Sequence, residues 1–161
     1  MNKYEKIRRL CIIIGSLMVV VGAFKILTRG NPLDESIGYV GVSNGSQIIS
    51  VDGYKYSYNF DDEQSKLDNF VTIENAEDIP EIDYFINDDN CNLSVSFTEE
   101  YTGKPSYAVY NESFECIIES QPDLEMPGEI GKKYYIEVSV NWGDKDNNVT
   151  VKYYFAVNIK E

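Results

Sequence analysis

The chain has 161 residues, with 14 Lys and Arg against 27 Asp and Glu and no His, enough for one domain with an appendage but not for two sizeable cores. The absence of His excludes Ser-His-Asp and Cys-His hydrolase chemistry and His-liganded zinc. A net charge of −13 excludes nucleic acid as a partner, because phosphate binding is driven by Lys and Arg releasing counterions.

The charge is unevenly placed. Residues 1–30 hold six Lys and Arg against one Glu, a net +5, which leaves eight cations against 26 acids, or −18, for the remainder. Between the basic groups, Leu10 to Leu27 is the one long apolar run, and its 18 residues reach the length of a membrane-spanning helix, about 17 to 25 residues. Two readings stand: a signal-anchor helix over 10–28, or a secretory signal cleaved near Ala23 after Val21-Gly22-Ala23. The anchor is favoured because Phe24-Lys25-Ile26-Leu27 carries the apolar character past that site. In both, Lys3, Lys6, Arg8 and Arg9 keep residues 1–9 cytoplasmic and send the chain after residue 30 out of the cell. Cys11 precedes the apolar stretch rather than ending it, so it is helix filler and not a lipid-attachment site.

Residues 29–45 read as a linker, since Gly30-Asn31-Pro32 opens a turn-rich stretch, and 46–161 as an extracytoplasmic β domain. Ser46 to Val51 and Tyr54 to Phe60 flank Asp52-Gly53, a pair suited to a type I′ hairpin turn. In the second arm Tyr54, Tyr56, Tyr58 and Phe60 fall on one face at period two. Asp61 to Asp68 reads as a loop or one helical turn, and Phe70 to Glu74 as a short strand. Leu93, Val95 and Phe97 alternate with polar residues, and Ser106 to Tyr110 and Phe114 to Ile118 give two more strands. Pro122, Pro127 and Gly128 mark an irregular connection.

The last hairpin has the clearest pattern. Ile136, Val138, Val140 and Trp142 alternate with Glu137, Ser139 and Asn141, and Val149, Val151, Tyr153, Phe155, Val157 and Ile159 repeat it on the return. Such arms need a second layer, and about seven to nine short strands point to an all-β, immunoglobulin-like antiparallel β-sandwich after one N-terminal transmembrane helix. Gly131-Lys132-Lys133-Tyr134-Tyr135-Ile136-Glu137-Val138, Trp142 and Val151-Lys152-Tyr153-Tyr154-Phe155-Ala156-Val157-Asn158-Ile159 resemble the closing hairpin of small secreted or membrane-anchored immunoglobulin-like proteins of Gram-positive bacteria. The resemblance covers about the last 30 residues, with an echo at Tyr54 to Phe60. It implies fold and location, and carries over no functional residue.

Three sets of side chains are candidates for chemistry. Cys91 and Cys116, exported together, are candidates for a disulfide, with two separate thiols as the alternative. Asp144, Asp146 and Asn148 put oxygens at positions 1, 3 and 5 of a calcium-type loop. An EF-hand needs Gly where Val149 stands and Glu where Phe155 stands, so a polar turn is favoured over a weak Ca2+ site. No other cofactor is implied. Tyr154, with Lys152 and Tyr135, is the candidate partner-binding set, because period two turns Tyr154 away from the Tyr153/Phe155 core face and exposed aromatic rings anchor partners well.

The resulting expectation is a non-enzymatic, membrane-anchored, acidic domain outside the cell that contacts an envelope protein or wall polymer, with no small-molecule substrate in evidence. The alternative is a calcium-dependent carbohydrate binder or an envelope hydrolase using acidic loop residues.

Overall fold

The computed structural model describes residues 37–60, 63–98 and 101–161. The hydrophobic segment at 10–28, the basic residues 1–9 and Asp61-Asp62 lie outside the described residues. Among the described residues every regular element is a strand: β1 (Val40–Ser43), β2 (Ile48–Val51), β3 (Gly53–Phe60), β4 (Glu63–Lys66), β5 (Glu81–Phe85), β6 (Ser94–Phe97), β7 (Thr102–Tyr110), β8 (Cys116–Gln121), β9 (Lys133–Gly143) and β10 (Asn147–Lys160). They form a three-stranded sheet, β2-β1-β6, and a seven-stranded one, β4-β3-β10-β9-β7-β8, in which β5 also pairs with β10.

The β9–β10 hairpin organises the larger sheet. Its register sets Val138 opposite Tyr153, Val140 opposite Val151 and Trp142 opposite Val149, so the period-two apolar positions of both arms fall on one face and all are buried. That face meets Val40 and Val42 of β1 and Val51 of β2 in a single core cluster. β10 is long enough to serve three neighbours. One flank pairs with β9; the other pairs antiparallel with β3 over Asn147 to Tyr153 and parallel with β5 over Ala156 to Lys160.

Several local expectations are corrected. β1 falls inside the stretch read as linker, and with Val40 and Val42 fully buried the folded part begins before residue 46. Asp52-Gly53 does not close a hairpin: β2 and β3 lie in different sheets, and the chain crosses between them with only Asp52 outside a strand. Gly53 is needed there for closeness rather than for a left-handed turn. A Cβ at this position would stand 2.6 Å from Val151 Cγ1 and from Tyr153 Cε1. Gly53→Ala should therefore cost about 1–3 kcal/mol by overpacking, seen as a lower urea midpoint with an unchanged slope. An unchanged midpoint would contradict this reading.

The aromatic residues of β3 do not share one face. A register shift between Thr150 and Val151 inserts an extra residue at Tyr56, which leaves Tyr54 opposite Lys152 on the outer face and Tyr58 opposite buried Val149 on the inner one. Glu63 to Lys66 is an edge strand instead of a loop. Phe70 to Glu74 is irregular, although its Ile73 is buried. The sheets are antiparallel except for the β5–β10 pair, which is parallel.

Candidate functional site

The set Tyr154, Lys152 and Tyr135 is divided by the fold. Tyr154 is only 2% exposed, its hydroxyl donating to the Val71 carbonyl at 2.8 Å and its ring lying 5.7 Å from that of Tyr54. The connector between β4 and β5 runs over this part of the outer sheet face, so period two led away from one core and into another covered layer. Tyr154 is thus corrected from a partner-binding residue to a buried one. Lys152 is also internal: its ammonium pairs with Glu137 at 2.7 Å, the two side chains 18% and 12% exposed, and lies 4.2 Å from the centre of the Tyr56 ring. The sequence signal for this burial is the unbroken run Tyr153-Tyr154-Phe155-Ala156-Val157, which belongs to a strand covered on both faces.

Burial has consequences for titration. It is the main cause that raises the Tyr154 phenol above its ordinary value of 10.0, and burial, then the nearby charge of Glu137, pushes Tyr110 up to about 12. A phenol kept protonated by the fold adds stability that is complete below pH 10 and is lost as the pH rises through the folded value. Stability should therefore fall between pH 10 and 12, and tyrosinate absorbance should rise in two stages, the second coinciding with loss of the fold. A single stage of ionisation at the ordinary value, with the fold intact, would contradict the burial of Tyr110 and Tyr154.

Tyr135 lies elsewhere, at the end of the sheet where the β7–β8 turn meets the start of β9. The turn is built around Asn111. Its side-chain oxygen accepts from the backbone N–H of Ser113 at 2.9 Å and of Glu115 at 3.0 Å, and its amide donates to Glu115 Oε2 at 2.8 Å. This holds Phe114 at φ 59°, where its ring packs 4.7 Å from that of Tyr135. Opposite, Gly131 turns the chain at φ 81°, and its N–H donates to the Ile159 carbonyl at 2.9 Å.

Two adjoining clefts, about 410 and 400 Å³, flank this junction and share Glu112, Lys132 and Lys133. Ile117 lines the first, and Tyr135, Asn158 and Lys160 line the second. Lys133 is held by Glu81 at 2.5 Å; that contact raises the Lys133 pKa and lowers that of Glu81. Ile117 is 46% exposed and Ile130 54%. Ile117 lies on β8, the outermost strand of the larger sheet on this side, and Ile130 in the connector just before β9.

The other candidates resolve as follows. Cys91 and Cys116 are free thiols, the second of the two readings open from the sequence. Cys91, in the connector between β5 and β6, accepts through Sγ from the Phe85 N–H at 3.2 Å, whereas Cys116 Sγ donates to the Ile118 carbonyl within β8 at 3.3 Å. Partial burial, with Glu119 and Glu137, pushes the Cys116 thiol up, which makes it a weak nucleophile. In the β9–β10 turn, Asp144 Oδ1 accepts from the N–H of Asp146 at 2.9 Å and of Asn147 at 2.7 Å. Asn148 presents its amide nitrogen, not its oxygen, to the Asp144 and Lys145 carbonyls. These groups stabilise a polar turn. Among the described residues no three Cys, Asp or Glu side chains gather closely enough to hold a metal. A further cleft of about 340 Å³ brings Asp52, Glu77 and Asp78 near Tyr54, but three acids alone single out no reaction.

Of the residues at the sheet end, only Tyr135 was marked by sequence reasoning. Phe114, Ile117, Lys132 and Lys133 were missed, although an isoleucine at 117 next to Ile118 breaks period two and signals an apolar side chain on the open side of a strand. No family model, curated protein or solved structure matches the chain.

Proposed function

We propose that this chain is a non-enzymatic binding domain held outside the cell by its N-terminal hydrophobic segment, with its contact surface at the sheet end formed by the β7–β8 turn, β8 and residues 129–135. The observation that carries this reading is the junction of two clefts there, lined by exposed Ile117, half-buried Tyr135 and the lysines Lys132, Lys133 and Lys160, with half-buried Phe114 packed on Tyr135. Apolar and aromatic area rimmed by charge is the composition of a recognition surface. Placement outside the membrane rests on the basic residues before the apolar run.

The immunoglobulin-like arrangement belongs to the same proposal. In its support, β7, β8, β9 and β10 follow one another in the chain and lie in the sheet as β10-β9-β7-β8, the G-F-C-C′ succession of variable-type sandwiches. The three strands of the smaller sheet all precede β7, which is a departure from that plan.

A photoreactive residue in place of Ile117, activated in intact source cells, tests the function. The expected result is a discrete adduct with an envelope protein. Adducts with wall polymer alone would favour carbohydrate binding, and labelling by bulk lipid alone would overturn the reading.

A further inference from the structure

We infer that the free edge of β8 accepts an extended, basic segment of a partner protein as an added antiparallel or parallel strand; this rests on the binding reading above and names its ligand class. Three observations converge on it. The first is topological: among the described residues β8 pairs with β7 on one side only and ends the larger sheet there, so alternate N–H and C=O groups on its other side face outward, the arrangement that strand addition uses.

The second observation is charge. From residue 105 to residue 131 there is no Lys or Arg, while Glu112, Glu115, Glu119, Asp123, Glu125 and Glu129 all fall in this stretch and all are exposed. A strand of Lys or Arg alternating with apolar residues would meet Glu119 within β8 and approach the acids of the turn before it and the connector after it. The same acids close the edge to a second copy of β8, because self-pairing would set Glu119 and its neighbours against like charges. The edge is thus closed to itself and open to a basic strand.

The third is the apolar contact. Five of the six residues of β8 are exposed and Ile117 is 46% exposed, which leaves an aliphatic position beside the cleft of the β7–β8 turn. An added strand can bury one side chain there while its cations meet Glu119 and Asp123.

The test uses the full chain in uncharged detergent and three synthetic peptides: an alternating Lys-Val peptide, the same peptide N-methylated at every second residue, and a Glu-Val peptide. The Lys-Val peptide should bind, slow amide exchange within Cys116 to Gln121, and lose affinity roughly tenfold when Glu119→Lys and Asp123→Lys are combined. N-methylation, which removes strand hydrogen bonds and leaves the charge, should abolish the protection. Equal binding of the methylated peptide without protection of β8 would overturn strand addition in favour of diffuse attraction, as would binding of neither or of the Glu-Val peptide. A protein adduct from Ile117 with β8 left unprotected by basic peptide would sink this inference alone. Protection of β8 without any adduct in cells would sink the broader reading instead.

Discussion

Replacing Tyr153 by Phe should lower stability by about 3 kcal/mol, or roughly 10 °C in Tm for a domain of this size. Its hydroxyl is the middle of a buried chain: Trp142 Nε1–H donates to Tyr153 at 2.7 Å, and Tyr153 donates to the Gly38 carbonyl at 2.6 Å. Tyr153 is fully buried and Trp142 is 2% exposed, so no water stands ready to replace the lost oxygen. The substitution removes one donor and one acceptor at once and leaves two buried polar groups without those partners. Gly38 is part of the same construction, since a Cβ there would lie 2.5 Å from Trp142 Cη2. The chain carries one Trp, so its emission reports on this point directly. A red shift should accompany the loss in Tm. A fall of less than about 2 °C with unchanged emission would mean that the chain of hydrogen bonds does not tie the N-terminal segment to the core.

Lys152→Met should be comparably severe, costing about 3 kcal/mol. The Met side chain replaces the aliphatic stem of Lys152 but leaves the Glu137 carboxylate, 12% exposed, without its cation. Ser139 Oγ donates to the same carboxylate at 3.4 Å, too long to compensate. The pair differs from an exposed ion pair because the Tyr56 ring and the neighbouring strands keep water away. Removing both charges together, Lys152→Met with Glu137→Leu, should restore most of the stability, since an apolar pair of similar volume avoids the desolvation cost. Urea unfolding of the single and double variants measures the coupling. If the double variant is as unstable as the sum of the singles, the two side chains act independently and the pair is not the unit described.

Much of the architecture was legible where the pattern was long and local. Ile136 to Trp142 and Val149 to Ile159 alternate over enough residues to fix both the hairpin and its core face. Tyr154 was misplaced because alternation assigns a side chain to a face but says nothing of what covers that face; the cover includes Val71, whose carbonyl accepts from the Tyr154 hydroxyl, in a connector without periodicity. Asp52-Gly53 has the composition of a tight turn, yet the steric demand of Val151 and Tyr153 gives Gly53 a different purpose, and that demand arises from one strand, β10, nearly 100 residues later. β1 and β5 were missed because four or five residues make a weak local signal, and β5 exists through parallel pairing with the chain's last strand. At the sheet end, Tyr135 was named for its ring alone. Its neighbour Phe114 is held against it by Asn111 and a left-handed backbone angle, and this local detail leaves only a faint mark in Asn111-Glu112-Ser113.

The most direct measurement places the same photoreactive residue, in separate full-length chains in intact source cells, at Ile117 beside the clefts and at Ile48, which is 77% exposed on the edge of the smaller sheet. Discrete protein adducts from position 117 and none from position 48 are the expected result. Equal adducts from both positions, or adducts from position 48 alone, would show that exposure rather than the β8 end governs contact and would contradict the assignment of the binding surface.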